Sequence, residues 1–287
     1  MRRGSGGSAF RRSPCGRAVS GIALVATPEA IVVASDGAIF DERASVIAIS
    51  SKIIVSPEWS MFVTGRGGEG VYQRLQFEIR SGVVAGFDAF RERLPEAALM
   101  LHEADGGAGR DFTLVFGGWS AEAGCFRTYR ISSGVRRIER PAGDEDAAQS
   151  ATQSAAWQVD EIEGLWCAPW PGLKVASECG VDSLNGDVDR SISVAEKLIV
   201  AARRQRSPLV GATGEHYWVG GFLQLTVIKR DFAQSWISRR WPDRLGEPIT
   251  PLPEEPEQRS GVERAPGRTR RRHLASLATR PTTVRYD

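Results

Sequence analysis

The chain has 287 residues, 41% apolar and 25% charged, with a formal net charge of +2, a composition that fits an ordinary globular protein with room for one large domain or two small ones. So small a net charge argues against nucleic-acid binding by the chain as a whole, and no apolar run approaches the roughly eighteen residues that mark a membrane helix. Cys15, Cys125, Cys167 and Cys179 form no CxxC pair and His102, His216 and His273 lie far apart, so the spacing predicts no disulfide framework or metal site and fits a reducing cytoplasm.

Residues 1–18 are rich in Arg, Gly and Ser, without periodicity, and read as a disordered leader. The basic start has no apolar segment behind it, so a secretory signal is not expected. A second reading keeps this leader out of the protein: Val19 can be encoded by a GTG start codon, and removal of the initiating Met would leave Ser20 at the N-terminus.

Residues 20–36 carry two β-branched apolar runs split by Thr27, Pro28 and Glu29, the pattern of a hairpin buried on both faces. Residues 37–42 read as a loop. Strands are predicted over 46–50, 53–55 and 59–64, with Pro57 and Glu58 as a turn. The glycine corner at 65–70 then opens a helix, with Val71, Leu75 and Ile79 at helical spacing. A second helix is predicted over 87–104, with Phe90, Leu94, Ala98 and Leu101 on one stripe and a kink site at Pro95.

Strands follow at 112–119 and 125–131, paired with each other. Residues 141–156 are polar and read as an exposed loop, and 157–160 and 164–170 are short, aromatic and ambiguous. A helix over 187–206 presents Val188, Ile192, Ala195, Leu198, Ile199 and Ala202 on one face, with Asp187 or Asp189 as its cap and Pro208 as its stop. A final strand covers 219–231. From residue 250 onward Pro, Glu and Arg dominate; Arg268, Arg270, Arg271 and Arg272 read as part of a solvated tail. Three segments result: a leader at 1–19, a folded domain at 20–249 and a tail at 250–287. Strands, two helices, more strands, a helix and a last strand do not follow βαβ winding; the order predicts an α+β sandwich with helices outside the sheets.

Ser20, Asp36 and Lys52 stand at equal intervals within this first meander (36 − 20 = 16 and 52 − 36 = 16). The runs at 21–25 and 30–36, the Ser51-Lys52-Ile53 step and the glycine corner that opens a helix resemble the first third of a proteasome-type subunit, closest to the bacterial, self-compartmentalised branch and its stand-alone relatives. Residues 218–231 resemble the late strand of the same fold. The resemblance covers most of 20–249 and is sharpest over 20–70.

That resemblance implies a four-layer αββα sandwich and an N-terminal-nucleophile amidohydrolase or peptidase. Its substrate would be a peptide or another amide, it would need no cofactor, and it would assemble as a homo-oligomer. By position Ser20 matches the nucleophile, whose own α-amine serves as base. Asp36 matches the carboxylate beside it, Lys52 the amine that supports it, and Gly67 the residue whose backbone N–H faces the oxyanion. The chain departs from the family in having Ser where proteasomal subunits have Thr, and Val19 where a self-processing junction has Gly. Ser177 and Asp182 are the nearest matches to the family's later helper residues. An alternative stays open: a catalytically inactive structural or assembly subunit of the same fold.

Overall fold

The first hairpin is set by its turn. In the computed structural model, which describes residues 20–41, 43–67, 75–76, 79, 85–104, 112–134, 136–137, 153–154, 156–208 and 214–251, the Thr27 hydroxyl donates to the Ala30 carbonyl and accepts from the Glu29 and Ala30 amides. Pro28 sits inside that closed turn, where its fixed φ costs nothing. The turn joins β1 (Ile22–Ala26) to β2 (Ile31–Asp36) in antiparallel register, Ile22 opposite Ser35 and Ala26 opposite Ile31.

The chain continues through β3 (Ala38–Phe40), β4 (Val46–Ile49), β5 (Ile53–Ser56) and β6 (Met61–Arg66), the last two joined by a 3-10 turn at Pro57–Trp59. Helix α1 (Phe87–Ala104) follows, continuous through Pro95. Then come β7 (Thr113–Ser120), β8 (Cys125–Ser132), β9 (Arg136–Arg137), β10 (Gln153–Ser154), β11 (Val159–Glu161) and β12 (Leu165–Ala168). Helices α2 (Leu173–Glu178) and α3 (Val188–Arg203) precede β13 (Arg206–Pro208), β14 (Glu215–Tyr217), β15 (Phe222–Lys229) and β16 (Phe232–Arg240). Asp187, not Asp189, caps α3: its carboxylate accepts the Arg190 amide at 2.6 Å, satisfying one of the orphan donors of the first turn.

Ten of these strands form two five-stranded antiparallel sheets, in the orders β12-β1-β2-β15-β16 and β11-β8-β7-β6-β5, and the other six pair as β3-β4, β9-β10 and β13-β14. The protein is therefore a mixed α+β fold built on antiparallel sheets and three described helices. Side-chain size sorts the faces. The small residues Ala23, Val25, Val32 and Ala34 pack against Val194, Ala195, Leu198 and Ile199 of α3. Alternate positions, Ile22, Leu24, Ile31 and Val33, join Phe62, Val115 and Phe126 of the other sheet in one buried cluster. Both faces of β1 and β2 are thus covered, as their unbroken apolar runs require. The far face of the second sheet meets α1 through Phe87, Phe90, Leu94 and Ala98, with Phe90 edge-on to Phe116 at 5.8 Å. No helix among the described residues is long and apolar enough to cross a membrane.

Four sequence expectations need correction. Residues 37–42 are not all loop, because β3 pairs with β4, Ala38 opposite Ile49. The ambiguous aromatic stretches are β11 and β12, and β12 completes the first sheet by pairing with β1. A short helix, α2, stands where none is expected. The strand expected as the final one over 219–231 is the shorter β15, because Gly221 has φ +76° and breaks the extended run, and it is not the last, since β16 follows and pairs with it. Of the helix expected after the glycine corner, Leu75 and Ile79 are helical and buried against α1's cluster. Most of the 141–156 stretch, the leader and most of the tail lie outside the described residues.

Candidate active site

The β1–β2 register places Ser20 and Asp36 at one end of the first sheet. The Asp36 amide donates to the Gly21 carbonyl at 3.1 Å. In return the Gly21 amide donates to Asp36 Oδ1 at 2.9 Å, so the residue directly after Ser20 is locked to the carboxylate. Lys52 comes from the other sheet, one residue before β5. Its carbonyl accepts the Thr64 hydroxyl at 2.8 Å, which ties its backbone to β6. From there its side chain crosses to Asp36, with Nζ 2.8 Å from Oδ1. Two of the residues singled out by spacing therefore touch, and the third is joined to them through one peptide unit.

All three are buried. The Asp36 side chain accepts on both oxygens: Oδ1 from Gly21 and Lys52, Oδ2 from the amides of Ala38 at 3.2 Å and Gly220 at 3.1 Å. Burial nevertheless dominates and pushes Asp36 above the usual carboxylate range, with the Lys52 charge and these donors opposing it. Burial likewise pulls Lys52 below the usual lysine range. The Asp36 charge opposes that, and Arg66 adds to it. Burial thus acts against both charges, and their 2.8 Å contact acts for them. Ser20 Oγ is buried and makes no hydrogen bond within the described residues, which is uncommon for a buried hydroxyl.

Gly67 lies just beyond β6, which pairs with β5 directly after Lys52. Its φ of +76° is in the left-handed region, where a glycine is favoured because it lacks a Cβ. Ser177 and Asp182 bond to each other, hydroxyl to carboxylate, in an exposed position. No described hydrogen bond links them to Ser20 or Asp36. Cys167, opposite Ala23 on β12, is a poor rival nucleophile: burial pushes its thiol up to about 12. A cavity of about 180 Å³ is lined by Arg206, Glu215, His216, Tyr217 and Ile249 among others, and its lining includes none of Ser20, Asp36 and Lys52.

Sequence reasoning missed the backbone donors of Ala38 and above all Gly220, which lies 184 residues from Asp36. A backbone N–H has no residue-type signature; the only available signal was the Gly220-Gly221 pair in the late segment. Gly220 leaves no room for a side chain, since a Cβ there would lie 2.1 Å from Ile249 Cδ1 and 2.6 Å from Asp243 Oδ2. Gly220→Ala is expected to destabilise the protein by about 1–3 kcal/mol through overpacking, read as a lower midpoint in urea unfolding. Neither a protein-family model nor a curated protein sequence matches the chain.

Proposed function

We propose that the chain is an N-terminal-nucleophile hydrolase of the proteasome type, with a four-layer αββα sandwich and Ser20 as nucleophile, cleaving amide bonds in peptides or related substrates. The observation that carries this reading is the buried Asp36–Lys52 pair at 2.8 Å, joined by the Gly21 amide to a serine whose Oγ is buried without a partner. The three buried clusters, helix against sheet, sheet against sheet and sheet against helix, support the layered architecture.

In this mechanism the Ser20 Oγ–H bond breaks as its proton passes to the α-amine of the same residue, and the oxygen attacks the substrate carbonyl carbon. A tetrahedral oxyanion forms, which a backbone N–H at Gly67 stabilises. The amine returns the proton to the leaving nitrogen as the C–N bond breaks, and water then hydrolyses the acyl ester with the amine again as base. Lys52 supplies positive charge that favours loss of the hydroxyl proton, and Asp36 holds Lys52 in place. The same resemblance assigns the protein to a homo-oligomer.

A second reading is favoured by two observations. The sequence places Val19 before Ser20, and a retained peptide bond there removes the α-amine. Ser177 and Asp182 bond to each other, and no described hydrogen bond links them to Ser20 or Asp36. Under this reading the protein is a non-catalytic subunit of the same fold. An electrophilic, hydroxyl-directed probe separates the two. Wild type is expected to form one covalent adduct, mapped by mass spectrometry to Ser20, and Ser20→Ala none. Labelling that persists in Ser20→Ala removes Ser20 as nucleophile; absence of labelling in wild type favours the structural subunit.

A further inference from the structure

The backbone of Gly220 bonds to Asp36 and to the two residues that follow it. Its N–H donates to Asp36 Oδ2 at 3.1 Å, and its carbonyl accepts from the amides of Gly37 and Ala38, each at 3.0 Å. The residues on either side of Gly220 are held in turn by a buried ion pair. Arg203, the last residue of α3, donates from Nη1 to the Val219 carbonyl at 2.8 Å. It also forks onto Asp243, Nη1 to Oδ2 at 2.9 Å and Nη2 to Oδ1 at 2.8 Å. Asp243 Oδ2 accepts the Gly221 amide at 2.7 Å, and the Gly221 carbonyl accepts the Trp241 amide at 3.1 Å. The Trp241 ring lies 4.6 Å from the Arg203 guanidinium. The two charged side chains are 1% and 5% exposed.

We propose that Arg203 and Asp243 are positioning residues for the Asp36–Lys52 centre, acting through the Val219-Gly220-Gly221 turn. The inference rests on the reading of Asp36 and Lys52 as the groups that tune Ser20. Fastening α3 to the segment after β16 does not require charge, because well-packed apolar residues serve as well as a buried ion pair. What apolar residues cannot do is satisfy the Val219 carbonyl and the Gly221 N–H, the polar groups that orient the peptide between them. The planar fork of arginine fixes the carboxylate in two dimensions, and that carboxylate sets Gly221. The peptide between the two anchors then points its N–H at Asp36. A displacement of about 1 Å at such a contact is enough to lower a site's reactivity severalfold or more.

Two variants of the full chain test this without changing its net charge. Arg203→Lys keeps the charge and loses the fork; the double variant Arg203→Met/Asp243→Leu removes both charges at once. Leu94→Ala, a core truncation in α1 on the other sheet, controls for general loss of stability. The first readout is the titration of Lys52 followed by carbon-13 NMR of lysine side chains, assigned against Lys52→Met. In both clamp variants Lys52 is expected to titrate at lower pH than in wild type, because Asp36 has lost a donor and holds its charge less well. Arg66, the other charge acting on Lys52, is untouched. The second readout is Ser20 labelling, expected to slow about tenfold. Leu94→Ala is expected to move neither.

A Lys52 titration unchanged in the folded clamp variants overturns the proposal, as does an equal shift in Leu94→Ala. Should the double variant not fold, Arg203→Lys decides alone. Wild type that never labels at Ser20 overturns the hydrolase reading, and the titration still decides the clamp.

Discussion

Lys52→Met is expected to destabilise the protein by about 3–5 kcal/mol, the usual consequence of leaving one member of a buried ion pair without its partner. Urea unfolding followed by tryptophan fluorescence measures it. The magnitude needs no discount for solvent screening, since the two side chains are 8% and 0% exposed and lie 2.8 Å apart. Asp36 would keep its backbone donors at Gly21, Ala38 and Gly220 and lose the cation. The double variant Asp36→Asn/Lys52→Met removes both charges and should recover part of the stability, because no uncompensated charge remains. It should recover none of the Ser20 labelling. A single variant as stable as wild type would show that the pair is dispensable to the fold, and no recovery in the double variant would show that the charges are not its main contribution.

The pH dependence of the same measurement carries the sign of each shift. Folded Asp36 sits above its ordinary value of 3.8, so in the window between the unfolded and folded values the native state holds more protons. Its contribution therefore falls as pH rises through that window. Folded Lys52 sits below its ordinary 10.5, so the native state holds fewer protons between the folded and unfolded values. Its contribution rises as pH climbs toward 10.5. Relative to the double variant, wild-type stability should therefore decline above the ordinary carboxylate range and rise again on approach to the ordinary lysine range.

The Asp36–Lys52 pair was legible in the sequence because the strands that carry it announce themselves. β1 and β2 are long, β-branched runs bounded by a Pro turn, and their register follows from that turn. The Ser51-Lys52-Ile53 step sits at the start of another such run. β3 was not legible, because three residues flanked by Gly37 and Asp41 give too short a periodic signal and its pairing with β4 is what makes it a strand. β12 was obscured in a different way. Leu165 and Trp166 are only partly buried, and only pairing with β1, far away in sequence, turns them into a sheet edge. The backbone amides around Asp36 were the least legible of all. They come from Gly21, Ala38 and Gly220, and the conformation of each is set by tertiary neighbours. At Gly220 those neighbours are Arg203 and Asp243, whose residue types alone suggest nothing more than surface charge.

A chain whose first residue is Ser20 is expected to react with the hydroxyl-directed probe at least about a hundredfold faster than one that retains residues 1–19, the scale on which general-base assistance accelerates such chemistry. A serine hydroxyl needs a base to accept its proton. Among the described residues Ser20 Oγ has no hydrogen-bond partner, and the Lys52 amine donates to Asp36. The α-amine of Ser20 itself is the base that the proposed mechanism supplies, and it exists only when the bond after Val19 is absent. An α-amine titrates at about 8 in peptides, so the labelling rate of the Ser20-first form should rise with pH through that region. Acetylation of the amine should return the rate to that of the longer chain. Equal labelling of the two forms would remove the α-amine from the mechanism and leave Lys52 as the base to be tested by Lys52→Met. Intact mass of the protein purified from its native cells then decides which form is made, because the two differ by the whole of residues 1–19.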